Sequence, residues 1–172
     1  NPQLYNNLGL IFQGMKQYDS ARVNMQKAFR LEPENTLFWS NLSGVFRQLK
    51  QYDSAAFYFK KQLMRKGEMN AQSYQDIGNF FADMKVYDSA IVYYKKVIKL
   101  NDKYVAAYFR AGTVYLSMEM NDSALFYLQK AIQLNPELQG GSLNLGLAYH
   151  ALQRYDSAII YLQNAIRLEP SK

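Results

Sequence analysis

Tyr18-Asp19-Ser20-Ala21 returns as Tyr52-Asp53-Ser54-Ala55, as Tyr87-Asp88-Ser89-Ala90 and as Tyr155-Asp156-Ser157-Ala158, with Asn121-Asp122-Ser123-Ala124 standing in the one remaining interval. Successive spacings are 34, 35, 34 and 34 residues, so one period fills the whole chain of 172 residues. A fixed period of this length marks stacked copies of a single supersecondary unit, none of which can bury its apolar face alone. The copies align as residues 2–35, 36–70, 71–104, 105–138 and 139–172. Their number and regularity replace the usual reading of length as a domain count and predict one quasi-linear array.

Working outward from the phrase, each copy carries two helical patterns. Before it, Tyr5, Leu8, Gly9 and Phe12 fall at i, i+3, i+4 and i+7, the stripe of a buried helix face. The stripe recurs as Trp39, Leu42, Ser43, Phe46; Tyr74, Ile77, Gly78, Phe81; Tyr108, Ala111, Gly112, Tyr115; and Ser142, Leu145, Gly146, Tyr149. Its small third member lets a neighbouring helix approach closely. After the phrase a second stripe runs Ala21, Met25, Ala28, and again Ala124, Leu128, Ala131 and Ala158, Leu162, Ala165. The Asp of each phrase is expected to open this second helix and cap its free N–H groups, where the dipole also favours an anion. Glu32-Pro33, Lys66-Gly67, Asn135-Pro136 and Glu169-Pro170 close the copies, since proline cannot continue a helix. The second copy has one residue more than its neighbours and takes Gly67 in place of proline, so a locally different exit loop is expected there.

Composition narrows the function classes. Apolar residues make up 49% of the chain, enough for a continuous core, yet no apolar run approaches the length of a membrane span. Cysteine is absent, which removes disulfide and thiol chemistry and fits a cytoplasm or a periplasm, the former preferred. The chain opens on Asn1-Pro2 in repeat register and without an initiator Met, which reads as a piece of a longer protein. The net charge of +6 sits largely late in the second helices, at Lys60, Lys61, Arg65, Lys66, Lys95, Lys96, Lys99 and Lys130, where cations complement helix dipoles and keep an outer face wet. Nucleic-acid binding by these residues is the minor alternative. His150 is the sole histidine, so no zinc set or catalytic pair is expected, and the glycines form no phosphate-cradling loop. The chain is expected to be no enzyme and to need no metal or cofactor.

The aromatic, Leu-Gly, aromatic, Ala, large apolar, Ala, Pro order of these copies resembles the tetratricopeptide repeat over essentially the full length, most closely in the fourth copy. The Tyr-Asp-Ser-Ala wording and the tyrosine-rich composition suggest a bacterial source. The resemblance implies an all-α, right-handed superhelical solenoid of five helix-turn-helix repeats, whose first helices line a concave groove. It also implies a scaffold that binds an extended or helical peptide segment of a protein partner. Two alternatives stay open: an assembly module that self-associates through uncapped repeat ends, and a regulatory array of a larger enzyme. The last copy lacks the family's solvating extra helix, so Ala165 and Ile166 should be partly bare.

A helical wheel puts the second, fifth, sixth, ninth, twelfth and thirteenth residues of each copy opposite the buried stripe. The sixth residues are Asn7, Asn41, Asp76, Arg110 and Asn144; an asparagine offers a donor and an acceptor and can grip a peptide backbone without reading its side chains. The expected groove starts neutral-polar with Gln3, Asn6, Asn7, Gln13, Ser40, Asn41 and Gln48. It passes through Arg47, Gln72, Asp76, Asn79 and Asp83, and turns apolar at Phe109, Leu116, Leu143 and Leu147 beside Arg110, with His150 on the same face. Phe109 and Arg110 form the candidate anchor pair, against the alternative that Phe109 and the leucines pack sideways between copies. Gly140-Gly141 admit a ligand backbone or mark a loose helix start. The family's clamp for a partner's C-terminal carboxylate needs Lys, Asn, Asn, Lys and Arg. The corresponding slots of the first three copies hold Asn6, Leu10, Asn41, Gln72 and Asp76, and windows starting at the second or third copy match at one slot each, so docking to chaperone tails is not expected. If the register is right, Ala90→Leu costs roughly 1–3 kcal/mol by overpacking, read as a lower thermal midpoint.

Overall fold

The computed structural model describes residues 1–65, 67 and 69–168. Ten helices follow in order: α1 Pro2–Gly14, α2 Tyr18–Leu31, α3 Thr36–Gln48, α4 Tyr52–Arg65, α5 Ala71–Asp83, α6 Tyr87–Leu100, α7 Val105–Ser117, α8 Asn121–Leu134, α9 Gly141–Ala151 and α10 Tyr155–Leu168. No strand occurs among the described residues. The chain forms two compact bodies, Asn1–Ser73 and Tyr74–Lys172. In the first, α1 packs on α2, α2 on α3 and α3 on α4; in the second, α6 packs on α7, α7 on α8, α8 on α9 and α9 on α10.

The small slot of the first helices sets the closest helix approach in each repeat. A Cβ built on Gly9, Gly78, Gly112 or Gly146 would lie 2.6, 2.6, 2.6 or 2.8 Å from Met25, Tyr94, Leu128 or Leu162, each four residues beyond the Ala of its phrase. In the second repeat Ser43 replaces glycine, and its hydroxyl donates to the Ala55 carbonyl at 2.9 Å. The phrase alanines Ala21, Ala55, Ala90, Ala124 and Ala158 are buried in every copy. An aromatic pair closes the same hairpin further along: Phe46 stacks on Tyr58, Phe81 on Tyr93, Tyr115 on Tyr127 and Tyr149 on Tyr161, with centroids 5.2–5.7 Å apart. Such pairs add about 0.5–1.5 kcal/mol beyond their buried area. In the first repeat Asn24 takes the tyrosine's place and donates instead to the Ser20 carbonyl.

Three sequence expectations need correction. The phrase Asp is not the cap. α2 begins at Tyr18, with the Gln17 carbonyl accepting from Ala21 N at 3.0 Å, so Asp19 lies inside the first turn. Neither α2, α6 nor α8 has a side-chain cap bond at the residue before the helix. The start is fixed from behind: Lys16, Lys50, Lys85, Glu119 and Gln153 all have φ of 57–59°, a left-handed residue ending each first helix. This folds the chain back so that Gln17 N bonds the Phe12 carbonyl at 2.9 Å, with equivalents in all repeats. The Asp then acts through the helix dipole, and Asp19 pairs with Arg22 at 3.4 Å.

Secondly, the stripe of α1 is only partly buried. Gly9 is covered, but Tyr5 and Leu8 are exposed, because no helix packs on that side of α1 among the described residues. Thirdly, Gly141 does not mark a loose start. It is buried, and a Cβ there would lie 2.5 Å from Ile132 Cδ1 and 3.2 Å from Leu138 Cβ. Gly140 precedes it with φ of 71°, the left-handed region glycine enters without cost. This glycine pair lets α9 lie close against α8.

Between repeats, Glu32 ends α2, Pro33 follows, and Trp39 Nε1 donates to the Pro33 carbonyl at 2.7 Å. Asn35 caps α3 by accepting from Leu37 N at 3.1 Å. Asn135 ends α8 just before Pro136. Of the other exits, Gly67 has φ of 140°; Lys66 and the pair Glu169-Pro170 lie outside the described residues. At the far end Ile166 is bare and Ala165 half-buried.

Gly78 and Gly44 separate packing from propensity. Gly78→Ala should cost about 1–3 kcal/mol because the Tyr94 ring must move. Gly44 has only Gln13 Nε2 nearby, at 3.8 Å; Gly44→Ala should therefore gain up to about 1 kcal/mol of helix propensity. Chemical denaturation of the two variants reads opposite signs.

Candidate functional site

The faces of the first helices that the wheel sets opposite the buried stripe hold ten candidate residues, and their surroundings divide them. In the first body Asn7 is exposed and accepts from Gln3 Nε2 at 3.1 Å. Asn41 is half-buried and its amide donates to Asn6 Oδ1 at 2.8 Å, tying α3 to α1. Asn6, expected on the open wall, is completely buried, because α3 closes over it. Its Nδ2 has no hydrogen-bond partner among the described residues.

In the second body Asn144 donates to Thr113 Oγ1 at 3.2 Å, tying α9 to α7 just as Asn41 ties α3 to α1. Asn41 and Asn144 thus each spend an amide hydrogen on the neighbouring repeat, whereas Asn7 accepts within its own helix. Asp76 and Phe109 are half-buried, Leu143 and Leu147 exposed. Phe109 Cζ lies 3.6 Å from where a Gly140 Cβ would stand, so one edge of its ring rests on the start of α9. His150 is exposed, with its ring 5.9 Å from that of Tyr155.

Asn79 and Arg110 come together with other residues of the open face, Asp83 among them, and with Tyr87, Tyr94 and Val114, which the wheel did not single out. They line a pocket of about 160 Å³ with Ala82, Asp83, Tyr87, Tyr94, Thr113, Val114 and Ser117, drawn from α5, α6 and α7. Its floor is Tyr94, a fully buried ring lying over Gly78. The Tyr94 hydroxyl donates to Asn79 Oδ1 at 3.0 Å, and Gln75 Nε2 donates to the same oxygen at 3.1 Å. Arg110 is exposed, and neither it nor Asp83 has an ion pair or hydrogen bond among the described residues. One cation, one anion and the Asn79 amide therefore face the same small space. A hairpin contact brought Tyr94 here, and the sequence carried no mark of it beyond the glycine at position 78.

On the second helices Arg65, Lys95, Lys96 and Lys99 are exposed, while two of the lysines also meet aromatic rings. Lys61 lies over the rings of Trp39 and Phe57, both at 5.6 Å, and Lys96 over those of Tyr93 and Tyr74, at 4.8 and 5.5 Å. These lysines are engaged by aromatic faces, worth about 0.5–1 kcal/mol each at exposed sites. Each second helix also shows one bare apolar residue two positions past the phrase Ala: Val23, Phe57, Val92, Phe126 and Ile160. No group of three or more His, Cys, Asp or Glu suited to a metal occurs among the described residues, and no described helix is long and apolar enough to cross a membrane.

Burial pushes the Tyr94 phenol up to about 12 from 10.0, with Arg110 opposing the shift and Asp83 adding to it. The folded state resists tyrosinate, so this contribution to stability is whole below pH 10 and is lost as pH rises through 12. Subtracting the alkaline absorbance titration of Tyr94→Phe from that of the parent should leave a step centred near pH 12. A step near 10 would place the ring in solvent.

Sequence models of the tetratricopeptide repeat match residues 2–35, 71–104, 105–138 and 141–172. No curated protein matches the chain significantly in sequence. Among solved structures, the MamA protein superposes with a TM-score of 0.62 at 24% identity, over 98% of this chain and 92% of that one. YrrB, described as a TPR protein with an unusual peptide-binding site, gives 0.63 at 22% identity over 97% and 86%. The first TPR of Spaghetti (RPAP3), bound to the HSP90 peptide SRMEEVD, gives 0.59 at 22% identity over 60% and 82%. At these identities the likeness speaks for the fold. With the repeat models covering most of its length, the all-α chain belongs to the tetratricopeptide-repeat family.

Proposed function

We propose that the chain is a non-catalytic scaffold that holds an extended or helical segment of a partner protein against its first helices, with the α7–α9 face of the second body as the anchor. The observation that carries this reading is Arg110. It is an exposed guanidinium without an ion pair among the described residues, at the rim of a pocket the size of a small side chain. Beside it the half-buried Phe109 and the exposed Leu143 and Leu147 supply apolar area. An apolar cluster rimmed by polar groups is the composition of an interaction surface, and an arginine next to an aromatic is a frequent hot-spot pairing.

The wall is preformed. Asn144 and Thr113 lock α9 to α7, and Phe109 is braced by Gly140, so a guest meets a surface already in place and binding spends little on ordering the scaffold. Within the second body Asp76, Asn79 and Asn144 would then supply backbone contacts, and His150 a polar contact at the margin; Asn7 and Asn41 offer the same kind of contact on the first body. The lack of paired cations at the carboxylate-clamp slots argues against capture of a chaperone tail by that route.

A display library of short peptides, selected on the whole chain, tests this. Selected peptides should bind Arg110→Ala at least about tenfold more weakly, equivalent to roughly 1.4 kcal/mol, and Leu143→Ser combined with Leu147→Ser should weaken them further, while the melting curves hold. Peptides that bind these variants as well as the parent would move the site elsewhere.

A further inference from the structure

The pocket beside Arg110 holds two unlike charges in one small space and pairs neither. Arg110 and Asp83 both line it, both are exposed, and neither has an ion pair or hydrogen bond among the described residues. Asp83 is moreover the last residue of α5, where the negative end of the helix dipole disfavours an anion. Stability alone gives no reason for a carboxylate at that position. Burial dominates the rise of the Tyr94 phenol, but Arg110 lowers it and Asp83 raises it, so both charges reach the same hydroxyl on the pocket floor. That hydroxyl and Gln75 Nε2 donate to Asn79 Oδ1 at 3.0 and 3.1 Å, which orients the amide and leaves its Nδ2 hydrogens without a partner among the described residues. The space therefore offers donors from Arg110 and Asn79 and an acceptor from Asp83. Its volume of about 160 Å³ is room for about five waters at roughly 30 Å³ each, about as many heavy atoms as a glutamine side chain carries.

We propose, on the footing of the peptide-capture reading, that this pocket selects a carboxamide side chain, glutamine or asparagine, from the guest. Its carbonyl oxygen accepts from the Arg110 guanidinium and Asn79 Nδ2, and its N–H donates to the Asp83 carboxylate. The bonds to Arg110 and Asp83 are charge-assisted. Other side-chain classes each fail on one partner. A guest carboxylate meets Arg110 but has no hydrogen for Asp83 and sets a like charge beside it. A guest ammonium pairs with Asp83 but accepts nothing from Arg110 or Asn79. An apolar side chain strips water from both charges and pairs neither. A neutral group with its donor and its acceptor on separate atoms answers both.

Peptides selected from a display library on the whole chain, and separately on Asp83→Asn, test the proposal. Peptides selected on the parent should share one glutamine or asparagine, and changing that residue to glutamate should weaken binding at least about tenfold. Asp83→Asn removes the like charge and keeps Arg110. The glutamate peptide should therefore bind this variant at least about tenfold more tightly than it binds the parent, and selection on the variant should turn toward glutamate or aspartate. Asp83 is exposed at a helix C-terminus, so circular-dichroism melts of Asp83→Asn should fall no lower than the parent's. Peptides that weaken on Arg110→Ala yet share no carboxamide, or whose glutamate versions bind the parent equally well, would overturn the proposal and leave peptide capture standing. Peptides indifferent to Arg110→Ala would remove that reading and the proposal together.

Discussion

Every repeat depends on one close approach, between its own eighth residue and the second helix just at or past the phrase alanine. With no side chain at Gly9, Gly78, Gly112 and Gly146, Met25, Tyr94, Leu128 and Leu162 lie against bare backbone. Interior packing tolerates little change in volume, so this contact fixes the distance between paired helices and thereby the alignment of the stacked rings beyond it. The second repeat solves the same problem differently: Ser43 occupies the slot and spends its hydroxyl on the Ala55 carbonyl, so the extra atom is hydrogen-bonded rather than stranded.

That constraint propagates to the surface proposed to meet a partner. Because Tyr94 is drawn in over Gly78, its hydroxyl reaches Asn79 and forms the floor of the pocket beside Arg110. Because Gly141 brings α9 close to α8, Asn144 reaches Thr113 and Phe109 finds the backbone of Gly140. Polar groups that a wheel would offer to a guest are partly consumed in bracing the wall. What remains for a guest is the guanidinium of Arg110, the carboxylate of Asp83, the Asn79 amide and the leucines of α9.

The helices, their pairing and the buried alanines were legible because each weak signal is stated five times in one register. The failures have local causes. The helix start was misplaced because the residue that sets it is left-handed without being glycine, as Lys85 and Glu119 show. Burial of Asn6 was missed because a wheel gives a direction but not whether the next helix closes over it. The reverse error at Leu8 came from lending an interior repeat's burial to the first one. The stacked tyrosines Tyr58, Tyr93, Tyr127 and Tyr161 follow a repeat position that the aliphatic stripe did not include.

The five left-handed turns have an evolutionary meaning as well as a geometric one. A side-chain-bearing residue in that conformation carries a strain of roughly 1–2 kcal/mol, and here it is borne by Lys16, Lys50, Lys85, Glu119 and Gln153 alike. Glycine would relieve each of them at some cost in unfolded-chain entropy. The hairpins therefore hold an unspent margin, one that selection or an engineer could draw on repeat by repeat, stiffening the array from its bends while leaving the faces of the first helices unaltered.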